Sequence, residues 1–274
     1  MSRGRDLRIR DFQAPPGKRV RLKRWDPDAA SGFKDADEAR PVLERDLRRL
    51  ALLQERLYAE DRQSLLVVLQ GMDTGGKDGT LKHVFTGVNP GGCTVTRFKT
   101  PSLEEAEHDF LWRVHQATPR RGEIMIFNRS HYEDVLIVRV HGLVPPAVWK
   151  RRYEQINRFE RSLSETGTRI LKFYLHIDRR EQKRRLQARL MDTSKQWKFS
   201  RTDLDERALW GDYRRAYEDA LTECSTPWAP WHIVPANRKW HRNLVVARTI
   251  VEALEGMDPR LPKAPPGLSK IRVS

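Results

Sequence analysis

The segment SLLVVLQGMDTGGKDGT, residues 64–80, constrains this chain more than any other. Residues 64–70 are apolar on both faces and rich in β-formers, which suits a strand buried in a parallel sheet. Gly71, four further residues and then Gly76-Lys77 match the start of the phosphate-loop pattern GxxxxGK[ST]. A helical pattern follows through Val84 and Phe85, so the loop sits between a strand and a helix. Glycines let the backbone curl until its N–H groups converge on phosphate oxygens. The helix N-terminus adds a field that favours an anion. Lys77 supplies a point charge for a phosphoryl group in transfer. Gly75, Gly76, Asp78, Gly79 and Lys82 are its expected phosphate-binding neighbours. The bland alternative is a Gly-rich turn with a solvated lysine.

One position departs from the pattern. Asp78 stands where Ser or Thr normally holds Mg²⁺, so metal binding has to be arranged differently. Asp73, inside the loop, is the obvious extra carboxylate. A carboxylate among phosphates is repulsive unless a cation sits between them. Asp73 is therefore expected to hold Mg²⁺ or to orient an acceptor oxygen.

The rest of the chain alternates strand and helix. Leu43, Leu47, Leu50 and Leu57 form a helical stripe, with Pro41 in a first-turn position. Strands are expected over 94–98, 123–128, 169–177 and 231–236, and helices over 102–115, 146–166, 179–191, 203–221 and 240–255. The pattern predicts an α/β fold with a parallel sheet and helices on both faces. Residues 1–34 read as a basic N-terminal arm, 35–256 as one α/β domain with a lid at about 189–207, and 257–274 as a loose Pro-rich tail.

Charge narrows the partner. Lys plus Arg number 52 against 37 Asp plus Glu, a formal charge of +15. Nucleic acid, an anionic membrane surface and a phosphate-rich substrate fit this surplus equally well, and so does a basic surface kept for solubility. The longest apolar run, Leu65 to Leu69, is too short to span a bilayer. The start MSRGRDLRIRD lacks the apolar stretch of a secretory signal. Cys93 and Cys224 are isolated, so a reducing cytoplasm is the expected compartment.

Two further constellations carry chemistry. IFNRSHYED (126–134) lies at the C-terminal end of a strand, the edge where ligands gather in parallel sheets. Asn128 stands where an ordinary phosphate-loop enzyme has an acidic residue; it can bond to a loop or water. Arg129 presents a fork suited to phosphate, or else pairs with Glu133. Glu133 and Asp134 follow within one turn as acceptor or metal contacts, or as a solvated helix start. In RLMDTSKQWKFSRTDLDER (189–207), Arg189, Lys195, Lys198 and Arg201 cluster around a break between helices. A basic flap there can close over phosphates and exclude water. Trp197 and Phe199 alternatively suit stacking on nucleic-acid bases.

GMDTGGKDGT, FNRSHYED, KQWKFS with DLDER and WGDY, and APWHIVPANRKW together resemble the polyphosphate kinase 2 family, in matching order over about 35–255. The resemblance implies a P-loop kinase-like three-layer α/β/α fold with a five-stranded parallel sheet and a helical lid. It implies transfer of a terminal phosphoryl group between inorganic polyphosphate and a nucleotide, with Mg²⁺. By the same resemblance Asp73 is the loop carboxylate engaging metal and acceptor, Lys77 the loop lysine, Arg129 a catalytic arginine and Arg189 the lid arginine. Glu133 and Asp134 become acceptor-side residues, and Arg113 of PSLEEAEHDFLWR faces the acceptor. Asn128 resembles the subgroup that phosphorylates both mono- and diphosphates, taking AMP to ADP and ADP to ATP; guanine nucleotides are further candidate acceptors. A long polyphosphate needs many cations, which Lys82, Lys99, Arg129, Lys239 and the lid can supply. A homo-oligomer is expected, with Trp149 and Tyr153 either at a subunit contact or in the core. The rival readings are a nucleotide kinase using ATP as donor and a basic nucleic-acid-binding module.

Overall fold

The structure is a computed structural model that describes residues 7–267 and 271–272. Five strands form one parallel sheet: β1 (Ser64–Gln70), β2 (Cys93–Arg97), β3 (Ile124–Asn128), β4 (Thr168–His176) and β5 (Trp231–Pro235). Their order is β2-β3-β1-β4-β5. β1 is central and buried along its whole length, as its two apolar faces require. It pairs with β3 through Leu65↔Ile124 and with β4 through Leu66↔Ile170. The chain leaves β1 for β2 on one side and crosses β1 again between β3 and β4. Ligands in such sheets bind where the connections diverge, beyond the strands' carboxyl ends, and the Gly-rich loop after β1 lies there.

The helices are α1 (Ala36–Glu60), α2 (Lys77–Val84), α3 (Leu103–Glu107), α4 (Trp112–Gln116), α5 (Ile137–Val140), α6 (Pro146–Glu165), α7 (Arg179–Met191), α8 (Thr202–Ala208), α9 (Trp210–Glu223) and α10 (Lys239–Met257). Together with the sheet they make a three-layer α/β/α fold. In one layer α1 and α10 run against each other, joined by Arg248 donating to both Asp46 carboxylate oxygens, and α10 also packs on α2. In the other layer α6 covers β4 and packs with α9.

Three expectations need correction. α1 starts earlier than Pro41: the Asp35 carboxylate caps it, accepting from the N–H groups of Asp37 and Glu38, and Pro41 lies inside the helix. The helix expected over 102–115 is two short helices, because Ser102 and Glu105 close a capping box that commits only one turn. The helix expected from Asp203 breaks at Leu209 into α8 and α9.

The described part of the basic N-terminal segment, residues 7–34, packs against the α/β domain. Ile9, Phe12, Val20 and Leu22 are buried. Gln13 bridges β5 at His232. The Val20 and Leu22 N–H groups donate to Thr222 and Glu218 of α9. Its apolar residues are spaced irregularly among cations, so no helical or strand period marks them in the sequence. The C-terminal segment expected to be loose, 257–274, lies partly outside the described residues, at 268–270 and 273–274; residues 261–267 are exposed. Tyr153 is core, and Trp149 packs against the core beneath the Arg139 guanidinium. Among the described residues no helix is long and apolar enough to cross a membrane.

Acid should unfold this core. His232 on β5 and His241 on α10 are buried, and burial pulls both imidazoles from 6.5 down to about 4. A group whose folded pKa is depressed stabilises the fold above its unfolded pKa and loses that contribution as pH falls toward the folded value. Each site is worth of the order of 3 kcal/mol over this window. Asp134 runs the other way, since burial pushes its carboxyl up to about 6, but one carboxyl opposes two imidazoles. Urea midpoints are expected to drop steeply from pH 6.5 to 4. A flat profile there would contradict this burial.

Candidate active site

The Gly-rich loop after β1 curls into α2. Gly76 caps α2 with φ 105°, a left-handed conformation that glycine adopts freely. A Cβ there would also lie 1.9 Å from Arg242 Nη1, so any side chain would have to displace the guanidinium. The Lys77 ammonium folds back and donates to the Gly71 carbonyl at 2.7 Å. Burial first, and then the Arg129 guanidinium, press its pKa below the usual lysine value, against the pull of Asp73, Glu133 and Asp78.

Arg129 comes from the turn after β3 and holds φ 64°, a strained backbone for a non-glycine residue. That turn is anchored on both sides. The Arg129 N–H donates to the Leu69 carbonyl at 3.2 Å, and the Gln70 amide donates to Ser130 Oγ at 3.1 Å. So placed, Arg129 donates to the Asp73 carboxylate at 3.1 Å. Its hydrogen-bond partner is thus the loop carboxylate, while the Glu133 charge acts on it without a hydrogen bond. Asn128 donates its amide to Asp78 Oδ1 at 2.8 Å, tying the end of β3 to the first turn of α2. The Arg97 and Lys198 cations stand 3.7 Å and 3.9 Å from the same Asp78 carboxylate.

Beside this cation-lined loop opens a cavity of about 240 Å³. Asp73 and Arg129 form one wall. Glu133, with Trp210, Tyr213 and Tyr217 of α9, lines another, and Asp203 and Glu206 of α8 close it from the flap. The flap is held down at two points. Tyr213 OH donates to Glu206 at 2.5 Å while His141 lies 3.0 Å from the same carboxylate. Arg207 donates to Gln182 at 2.8 Å.

Thus Asp73, Lys77, Arg129, Asn128, Asp78 and Lys198 converge with Gly75, Gly76 and Gly79 around one loop, and Glu133 lies across the cavity. Other expected residues sit elsewhere. Arg189 donates to the Lys198 carbonyl and to Asp203, so it braces the flap from within. Lys195 is engaged by Asp192, three residues away. Lys82 is solvent-exposed on α2. Arg113 is buried, donating to the Lys99 carbonyl at 2.9 Å and lying over the Phe98 ring. Asp134 is paired with Arg152 at 3.1 Å and does not line the cavity. Lys195 is taken by a partner one turn away, whereas Arg113, Asp134 and Arg189 are taken by partners on neighbouring elements that spacing does not show.

Sequence reading missed Gln182, Arg185 and Arg242. Gln182 donates to the Asp73 carbonyl at 3.2 Å. Arg185 donates to the Thr74 and Gly75 carbonyls at 2.8 and 3.1 Å, clamping the loop from outside. The signal was faint: Gln182 and Arg185 lie on one face of α7, whose buried residues are mostly polar, and Arg242 lies on α10.

Behind the loop lies a fully buried charge network. Lys172 of β4 donates to Glu160 at 2.5 Å, to Tyr132 OH at 2.7 Å and to the Cys224 carbonyl at 2.7 Å. Tyr132 OH donates to Glu160 at 2.8 Å, and His131 lies 3.2 Å from the same carboxylate. The His-Tyr of FNRSHYED is therefore the structural root of the turn that carries Arg129 and Glu133.

The family model described as Polyphosphate kinase 2 (PPK2) matches residues 33–262. The chain is 51% identical over 267 residues to the AMP/ADP-polyphosphate phosphotransferase of Meiothermus ruber, covering 96% of this chain and 99% of that protein. It is 40% identical over 276 residues to the ADP-polyphosphate phosphotransferase of Rhodopseudomonas palustris, covering 96% of each. The crystal structure of polyphosphate kinase 2 from Arthrobacter aurescens TC1 superposes with TM-score 0.91 at 44% identity, over 95% of this chain and 93% of that one. This chain belongs to the polyphosphate kinase 2 family.

Proposed function

We propose that this protein transfers a phosphoryl group between inorganic polyphosphate and nucleoside mono- and diphosphates, taking AMP to ADP and ADP to ATP. The observation that carries the reading is the Asp73–Arg129 pair at 3.1 Å, which joins a cation-rich phosphate loop to an acidic, aromatic cavity. The loop suits the terminal unit of a polyanion. The cavity suits an acceptor nucleotide, with Trp210, Tyr213 and Tyr217 offering ring faces to a base.

In the forward direction a terminal phosphate oxygen of the nucleotide attacks the end phosphorus of polyphosphate in line. The new O–P bond forms as the bridging P–O bond to the next unit breaks, and the shortened chain leaves with that oxygen. Such transfers ask the protein mainly for positioning and charge neutralisation. Lys77 and the loop amides offset charge on the transferring group. Arg129 bridges donor and acceptor sides, and Lys198 reaches in from the flap. Release of Lys77 from the Gly71 carbonyl and of Arg129 from Asp73 supplies both cations to the substrate. Flap closure by α8 excludes water, which keeps the phosphoryl group from hydrolysis.

Mg²⁺ fits the donor set as a partly substrate-held ion. Asp73 and Glu133 are hard oxygen donors on one cavity, and Mg²⁺ commonly uses one or two carboxylates together with substrate phosphates. Asp73 would be the first protein donor to such an ion, with Glu133 as a second carboxylate on the same cavity. When bound, the ion neutralises repulsion between substrate phosphates and Asp73. Cys93 and Cys224 are both free thiols, which supports a reducing cytoplasmic location.

Donor comparison tests the reading against an ATP-driven nucleotide kinase. Purified protein is given AMP or ADP with either long-chain polyphosphate or ATP as the only donor. Polyphosphate is expected to drive at least tenfold more product; turnover that requires ATP would select the rival.

A further inference from the structure

Arg242 on α10 is a buried cation without an anion. It is 2% exposed, and its Nε and Nη2 donate only to the neutral Asn243 Oδ1, at 3.1 and 2.8 Å. Among the described residues no carboxylate lies within ion-pairing distance of it. Its nearest charged neighbour is Arg185, another cation, whose Nη1 reaches the same Gly76. Burial and then Arg185 pull the Arg242 guanidinium down to about 10, which reports how poorly the charge is balanced. The guanidinium also lies against Gly76 and Gly79, in the first turn of α2. That is the positive end of the helix, so the backbone field adds to the repulsion. Arg184 and Lys239 stand near too, and Glu181, shared by Arg184 and Arg185, is the carboxylate among them.

A buried charge without a partner is costly, and hydrophobic replacement is often stabilising. A chain that keeps one beside an anion-binding helix end supplies its counterion from solution. We propose that Arg242 is a buried positioning charge of the phosphate loop, balanced only when a substrate phosphate occupies the loop on the other side of Gly76. This rests on the phosphate-loop reading above and deepens it. Arg242 touches no substrate. It acts through the Gly76–Gly79 backbone, raising the loop's affinity for polyanions at the expense of the empty protein. The cleared space at Gly76 and Gly79 follows, since side chains there would push the guanidinium away.

Asn243→Asp tests this with almost no change of shape, because it gives Arg242 a carboxylate where it now has an amide. The ligand-free variant is expected to melt higher than wild type. Its rise in Tm with saturating tripolyphosphate should fall to less than half the wild-type rise. KM for polyphosphate should increase about tenfold, as expected for a neutralised nearby charge, with kcat within twofold. A change confined to kcat, or a wild-type KM together with a wild-type tripolyphosphate shift, overturns the proposal. Should Asn243→Asp not fold, Arg242→Gln decides by the same two readouts: a raised KM and a reduced shift support the proposal, wild-type values overturn it. The wild-type protein separates this from the underlying reading. If tripolyphosphate leaves wild-type Tm unmoved, the phosphate-loop assignment itself fails, and the Arg242 proposal fails with it.

Discussion

Replacing Lys77 with Ala is expected to lower polyphosphate-driven turnover by about 10³-fold, the scale seen when one preorganised charge partner is lost from a transition state. The fold should survive. The Lys77 ammonium is half-buried and donates to one backbone carbonyl, so its removal deletes one hydrogen bond and no packed apolar surface. Lys77→Arg should not rescue, because the site demands a compact point charge beside Arg129, and a planar fork in that space clashes with it. Steady-state rates with polyphosphate and ADP, beside a thermal melt, give the result. A loss smaller than tenfold would mean that Lys77 is a loop brace only.

The second large effect is on stability. Lys172→Met leaves Glu160 buried, negative and without its cation, next to His131 and Tyr132. Breaking a buried pair on one side costs roughly 3–5 kcal/mol. Against a total folding free energy of about 5–15 kcal/mol, that threatens the fold at growth temperature. The double variant Lys172→Met with Glu160→Met removes both charges, and should recover much of the loss. Urea titrations of the three proteins decide. A single variant within 1 kcal/mol of wild type would show that water or relaxation solvates Glu160. The consequence for the site is direct. Tyr132 and His131 root the turn whose next residues back are Ser130 and Arg129, so the single variant should also misplace Arg129 and lower activity in the part that remains folded.

The elements that were legible in the sequence share a property: their signal is local. SLLVVLQ is apolar on both faces, and β1 begins and ends with it. The loop was legible because glycines at that spacing, set between a buried strand and a helix, suit a backbone curl around phosphate. Its partner across the sheet, IFNRSHYED, was legible because it follows a strand that ends on the same edge. What escaped was long-range. Gln182 and Arg185 reach the loop from more than 100 residues away, and Arg242 from farther still. Their roles depend on how α7 and α10 dock, which no spacing rule encodes. The same cause hides where the cations sit. Arg189, Lys195 and Arg113 have the right charge and a suitable position in the chain, yet each finds a nearer carbonyl or carboxylate in the fold. In the N-terminal segment cations dominate the count, while the buried Ile9, Phe12, Val20 and Leu22 hold it against the domain. Lys172, in the middle of a strand that reads as apolar, is the opposite case. Its partner Glu160 sits on α6, and only the docked helix makes the charge tolerable.

In this reading the loop between Gly71 and Lys77 grips the end of a polyphosphate while the neighbouring cavity holds the acceptor. A crystal structure with a short polyphosphate and a nucleotide, both bound, measures this most directly. The terminal phosphate is expected within hydrogen-bond distance of the Gly75–Lys77 amides and Lys77 Nζ, and the nucleotide phosphate between Asp73 and Arg129, with its base against Tyr213 or Tyr217. Electron density that places the polyphosphate end away from this loop, on the outer basic surface alone, would contradict it.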